Sequence, residues 1–333
     1  MKTRLTTLCD LSVPIALAPM ALAAGGALAA ACARAGALGL VGGGYGDLTW
    51  TQREYGLALQ LADSAANRAR VGCGFITWKL DEDASAMDWV LDQPVADKPR
   101  ALMLSFGDPR PYAARIAAAG IPLVCQVQRM EQVPQAIEAG ARIVVAQAAE
   151  AGGHGMNSLD GRATMTFVPE LADWLAAHAP DTLLLAAGGI ADGRTLAAAL
   201  VLGADGALVG SRLWATRECL AAQGAKDQAV KTNGDGTVRS AVFDILRSKN
   251  WPAPYDFRAV RNDLHRQWEN RIDTLRADPA AARERYDAAV KAGDFSAAHA
   301  TVGEAAGLIH DCPSAGDILQ RMARDAAARL DGL

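Results

Sequence analysis

Of the five histidines in this chain, one stands where a proton acceptor could work. His154 follows the pair Gly152-Gly153 in the run Gln147-Ala148-Ala149-Glu150-Ala151-Gly152-Gly153-His154-Gly155, which leaves an apolar stretch. An imidazole titrating near pH ~6.5 is the natural base around neutrality. A structural, hydrogen-bonded histidine is the bland alternative, and the glycine context speaks against it. His178, His265, His299 and His310 fall in helical or C-terminal segments without such neighbours. Two other turns, Ala187-Gly188-Gly189-Ile190 and Gly210-Ser211-Arg212, have the composition of phosphate cradles. Glycines let backbone N–H groups approach phosphate oxygens, a following helix N-terminus adds partial positive charge, and Ser211 adds a hydroxyl donor. The same glycines could instead serve only tight turns. Gln126 closes another apolar run and could bond either a ring edge or neighbouring loop backbone. Ala18-Pro19-Met20 could run along a flat ligand with Met20 as a soft contact, although a Met beside a strand is more often core.

Other chemistries lack their residues. The six cysteines (Cys9, Cys32, Cys73, Cys125, Cys219, Cys312) form no C-x-x-C pair, so neither a zinc knuckle nor a thioredoxin-type site is encoded. Scattered single cysteines suit a reducing cytosol, and a cytoplasmic location is the expectation. No Ser or Cys sits in a nucleophile elbow, no metal-ligand cluster occurs, and Glu150 has no carboxylate partner for sugar hydrolysis. With 33 Lys and Arg against 37 Asp and Glu, the net charge of −4 argues against a nucleic-acid binder. The uncharged run 11–33 could be read as a secretory signal or a membrane span. Pro14 and Pro19 break it into a strand and a turn, and Gly25-Gly26 interrupts the rest, so no membrane association is expected.

The elements that must position these residues follow a rhythm. Strand-like apolar runs lie at 13–18, 38–41, 71–76, 101–104, 121–127, 142–147, 182–187 and 205–209. Each is short and unalternating, as strands of a helix-covered parallel sheet are. Between them, helical patterns run over 26–35, 51–66 (after Thr49), 111–119, 131–139, 169–178 (opened by Pro169) and 192–202 (capped by Asp192). Eight such units in about 220 residues predict a TIM-type (β/α)8 barrel, with chemistry at the C-terminal strand ends. A doubly wound sheet would want G-x-G-x-x-G, and GGGYGD at 42–47 lacks the last glycine. The barrel is assigned to 1–220. Residues 221–304, charged, with Trp251, Trp268 and Asn-Gly-Asp-Gly at 233–236, show little strand signal and read as a smaller, mainly helical cap. Residues 305–333 read as a helix returning to the barrel on Ile318, Leu319, Met322, Ala326 and Leu330.

Together, APM at 18–20, the segment 146–155, AAGGIADGR at 186–194 and LGADGALVGSRLWATRE at 202–218 resemble the nitronate monooxygenase family, formerly called 2-nitropropane dioxygenases. The runs GCGFITW (72–78) and LSFGDP (104–109), with the later WPAPY, RN and GEAAGLI segments, are similar to one subgroup of it, so the resemblance spans nearly the whole chain. It implies an FMN-dependent barrel with a helical second domain. It also implies the FMN phosphate on Gly188, Gly189, Gly210 and Ser211 beside Val209. Gln147, Gly152 and Gly153 would line the flavin, Gln126 would stand near its ring, and Ala18, Pro19 and Met20 would lie on its face. Gly74 would line the same site, where many members carry Asn, so a side-chain amide contact is missing here. His154 matches the family's active-site histidine. The implied partners are an alkyl nitronate (propionate 3-nitronate in particular) and oxygen, yielding a carbonyl compound and nitrite, with a homodimer left open. Relatives on this scaffold use the same glycine–histidine constellation as NAD(P)H-dependent reductases of enoyl thioesters or quinones. A barrel that binds a phosphate ligand without catalysis is the third reading.

Overall fold

The computed structural model describes residues 1–332. The eight apolar runs all become strands: β1 (Ile15–Leu17), β2 (Gly39–Gly44), β3 (Val71–Ile76), β4 (Leu102–Ser105), β5 (Leu123–Val127), β6 (Ile143–Gln147), and, after a further strand β7 (Gly153–Met156), β8 (Leu183–Ala187) and β9 (Gly206–Val209). They pair in parallel in the order β1-β9-β8-β6-β5-β4-β3-β2. A parallel bridge between Ala16 and Leu38 closes the ring. The fold is a (β/α)8 barrel.

Successive side chains on a strand point to opposite faces. One set, including Ala16, Leu40, Met103, Val124, Val145, Leu185 and Leu208, fills the barrel. The other, including Leu17, Cys73, Leu104, Cys125, Val144, Leu184 and Val209, packs under the helices. The barrel floor is closed by a helix absent from the sequence reading, Arg4–Cys9, capped by Thr3, whose Leu5 and Cys9 join the inner cluster.

Three helix boundaries differ from expectation. The helix after β2 starts at Leu48, because the Asp47 carboxylate accepts from the Trp50 amide at 2.8 Å. It stops at Leu61, and a separate short helix, Ala65–Arg68, is capped by Ser64. The helix Thr164–His178 begins ahead of Pro169 and carries that proline inside it. Its first amide, Thr164 N–H, donates to the Glu150 carboxylate at 3.0 Å, which pins the start before the proline. The helix Gly193–Val201 is capped by Asp192 as the sequence predicts.

The segment after the barrel contributes helices and also β10 (Thr237–Ser240) and β11 (Tyr255–Val260). These form an antiparallel sheet with β7, in the order β10-β11-β7. Apolar runs do not mark these strands, because β11 buries only alternate residues, Phe257 and Ala259. The insertion has its own core around Phe243, Leu246, Phe257, Leu264 and Tyr286. The final helix, Ala315–Leu330, lies on the barrel helices Gly193–Val201 and Gly26–Arg34 through Ile318, Leu319, Met322 and Ala326. Among the described residues no helix is long and apolar enough to cross a membrane.

The insertion core carries a measurable cost. His265 is fully buried with neither ring nitrogen hydrogen-bonded, and burial pushes its pKa down to about 4. His299 is pushed down to about 3, again chiefly by burial. Both must protonate to unfold below their ordinary value of 6.5. Stability is therefore full above that value and falls as the pH drops, until each folded-state pKa is passed. The expected slope is about 1.4 kcal/mol per pH unit for each histidine. Urea midpoints measured from pH 7 to 5 should fall, and His265→Phe should flatten the profile. An unchanged profile in that variant would remove His265 from the account.

Candidate active site

The C-terminal ends of the barrel strands open into a cavity of about 650 Å³, roofed by the insertion. Its wall contains Ala18, Pro19, Met20, Gln126, Gln147, Gly152, Gly153, His154, Gly188, Gly189, Gly210 and Ser211. Residues from five barrel-strand ends thus converge as the sequence order suggests. Gly74 and Val209 are not in the wall. Gly74 lies beneath the Pro19 ring, whose Cγ would stand 2.5 Å from any Cβ placed there. Val209 points its side chain outward among the helices. Only its carbonyl turns to the first loop, accepting from Ala18 N–H at 3.0 Å.

The glycine turns are shaped for a ligand. Gly188 and Gly189 adopt φ of +107° and +75°, a region ordinary side chains avoid. A Cβ on Gly210 would meet only Ala18 Cβ at 3.7 Å and Met20 Sδ at 3.9 Å, so the space above it is open. The amides of Gly189 and Ser211 donate to no backbone acceptor among the described residues. Ser211 Oγ accepts from Gly303 N–H at 2.9 Å, which leaves its own proton to donate. Residues 149–153 are held from behind by Arg239. Its guanidinium donates to the carbonyls of Gly153 (3.0 Å), Asp256 (2.7 Å), Ala149 (3.3 Å) and Ala151 (2.6 Å). Burial lowers the Arg239 pKa to about 9.

His154 sits on β7 opposite Phe257. Its Nε2 lies 2.9 and 3.1 Å from the two Asp244 oxygens, and the side chains are only 9 and 7% exposed. The imidazole stacks on Trp251 with centroids 3.5 Å apart and planes at 11°. Burial holds the His154 pKa below its ordinary value; Asp244 opposes that shift, while Arg247 and Arg239 add to it. With Nε2 as donor to the carboxylate, Nδ1 keeps its lone pair and has no protein partner. The strand end is braced by a relay: Gln128 Nε2–H donates to Gln147 Oε1, and Gln147 Nε2–H to the His154 carbonyl, both at 3.0 Å.

Asp244, Trp251, Arg239 and Gln128 were not identified from sequence. Asp244 is 90 residues from His154 in the chain, and no local spacing links them. Gln128 alone had a signal, since it continues the inward parity of Gln126 past the end of β5.

Restoring a larger residue at Gly74 tests the Pro19 packing. Gly74→Asn should destabilise the protein by about 1–3 kcal/mol, because overpacking forces the 18–20 segment to move. Thermal unfolding checks this; a melting temperature equal to wild type would show that the segment yields freely.

A family model described as nitronate monooxygenase matches residues 2–325. The nitronate monooxygenase of Neurospora crassa is 30% identical, with the alignment covering 94% of this chain and 89% of that protein. The nitronate monooxygenase npaC of Metarhizium robertsii is 31% identical over 94% and 90%. Among solved structures, FabK from Thermotoga maritima superposes with a TM-score of 0.80 at 24% identity, covering 100% of this chain and 98% of that one. A nitroalkane oxidase from Streptomyces ansochromogenes gives 0.79 at 24%, covering 98% and 99%. At these identities the structural likeness is one of fold.

Proposed function

The chain belongs to the nitronate monooxygenase family, and we propose from that premise that its cavity binds FMN and oxidises alkyl nitronates, propionate 3-nitronate among them, with oxygen to a carbonyl compound and nitrite. The observation that carries this reading is the His154 imidazole, backed by a buried carboxylate, in one cavity wall with two glycine turns. The residues present fit FMN. Gly188, Gly189, Gly210 and Ser211 would take its phosphate, since Gly210 leaves open space and the Ser211 hydroxyl proton is uncommitted. Gly152, Gly153, Gln147 and Gln126 would border the ring, with Ala18 to Met20 along its face. When bound, FMN supplies an electron acceptor that oxygen can reoxidise.

The protein's own part is binding, orientation and one proton transfer. A neutral nitroalkane must lose the proton on the carbon that bears the nitro group. His154 Nδ1 takes that proton, the C–H pair staying with the substrate as its nitronate, while Nε2–H remains on Asp244. Burial keeps the imidazole neutral at pH 7 and therefore ready to accept. Trp251 covers one ring face against water. A preformed nitronate needs no base, and His154 then only holds the nitro group.

The purified protein should be yellow and should consume oxygen when given propionate 3-nitronate. Bleaching by NADH without oxygen, in place of bleaching by nitronate, would overturn the assignment in favour of a reductase. A colourless protein that cannot be reconstituted with FMN would leave only a phosphate-binding barrel.

A further inference from the structure

Thr301 and Ala305 line the cavity, and the stretch between them, Val302-Gly303-Glu304, lies against two parts of its wall. Two successive amides there donate in different directions. Gly303 N–H donates to Ser211 Oγ at 2.9 Å, in the second glycine turn. Glu304 N–H donates to the Glu150 carbonyl at 2.9 Å, at the start of the segment that runs into His154. The fit is backbone against backbone. A Cβ on Gly303 would stand 2.3 Å from the Glu150 oxygen and 2.6 Å from the Gly152 nitrogen, and one on Gly152 would stand 2.5 Å from the Gly303 nitrogen. Gly303 has φ −91° and ψ −172°, a conformation open to any residue. Close approach, and not conformation, is therefore what requires glycine here. The stretch is fastened on either side of this contact. The Glu304 carboxylate pairs at 2.9 Å with Arg258, which lies on β11 opposite Gly153. Buried Arg212, next to Ser211, donates to the Asp311 carbonyl at 2.7 Å and pairs with its carboxylate at 3.0 Å.

A serine hydroxyl has one proton and two lone pairs, and left free it turns to a nearby backbone group. With one lone pair filled by Gly303, the Ser211 hydroxyl is held in place and its proton points away from that amide. Ser211 is in the cavity wall, whereas Gly303 is not. We propose that Gly303 is a positioning residue: its N–H aligns the Ser211 hydroxyl for a phosphate oxygen, and its bare Cα fixes that hydroxyl in register with the 150–153 wall. This rests on the reading of the glycine turns as the FMN phosphate site, and adds a residue that governs phosphate recognition from outside the cavity. A donor already aligned binds an anion more tightly than one that must first reorient. The same tie makes phosphate recognition sensitive to the flavin-ring wall, because Gly152 and Ser211 share Gly303 as neighbour.

FMN and riboflavin differ only by the phosphate, so the ratio of their Kd values reads the phosphate turn alone. Quenching of flavin fluorescence on titration with the full chain gives both constants and needs no turnover. The wild type should hold FMN more tightly than riboflavin. In Gly303→Ala the ratio of riboflavin Kd to FMN Kd should fall about tenfold or more, because a charge-assisted hydrogen bond loses its alignment. Gly152→Ala should lower it too, by pressing on the Gly303 nitrogen from the other side. General loosening of the wall would weaken both flavins alike and leave the ratio where it was. Ser211→Ala should lower the ratio as far as Gly303→Ala does, and combining the two should lower it no further. If neither glycine variant folds, amide exchange in the wild type reads the same tie: FMN should slow exchange at 302–304 more than riboflavin does, since a filled hydroxyl strengthens the bond behind it. Equal slowing by the two flavins, or a ratio unchanged in both glycine variants, would overturn the positioning role. Equal affinity of the wild type for FMN and riboflavin would overturn the assignment of the phosphate to these turns, and the role of Gly303 with it.

Discussion

Replacing His154 by Ala should lower turnover of neutral nitroalkanes by about 10²–10⁴-fold, the usual worth of a positioned general base. The loss is that large because the groups beside the imidazole are already committed. Glu150 is spent on the Thr164 amide, Asp244 faces the imidazole, and Tyr286 is bonded to His299 at 2.7 Å. The glycine turns lie outside the imidazole's contacts, so bound flavin should remain and the visible spectrum should persist. Turnover of a preformed nitronate should drop far less, since its proton has already gone. Stopped-flow reduction with nitroethane and with ethyl nitronate separates the two. Equal losses on both substrates would assign His154 to holding the nitro group alone.

Arg239→Met should cost about 3 kcal/mol or more in stability, the second large effect. One guanidinium satisfies four carbonyls from two elements, and an unpaired buried carbonyl costs about 1–3 kcal/mol. At about 2.1 cal/mol/K of unfolding entropy per residue, a loss of that size should lower the melting temperature by about 4 °C or more. Residues 149–153 should loosen together, and FMN retention should fall with them. Arg239→Lys should recover only part of this, because a single ammonium cannot span the four acceptors. A melting temperature within a degree of wild type would show that water replaces the guanidinium without cost.

The barrel was legible because its signal is local and repeated. Each strand from β1 to β6, with β8 and β9, is an unbroken apolar run, and Gly120, Gly140 and Gly203 end the helices before β5, β6 and β9 with positive φ. The glycine turns and His154 were legible for a related reason: they sit directly after those runs, where barrel chemistry is placed. Asp244, Trp251 and Arg239 were not, because their roles exist only once β11 pairs with β7. That pairing leaves no period in the sequence, since β7 is glycine-rich and β11 half-exposed. The floor helix Arg4–Cys9 was missed for its brevity. Gly74 shows the limit of likeness to a family: only the Pro19 ring above it explains why the position is bare.

The base rides on β7, while its carboxylate and its aromatic cover both come from the stretch 242–251. Grafting a foreign roof onto this barrel would therefore exchange proton management in one stroke, and would release the grip of Arg239 on the wall segment 149–153 as well. Diversification of such a catalyst can proceed by replacing a lid wholesale, whereas drift at any single one of those positions strands its companions.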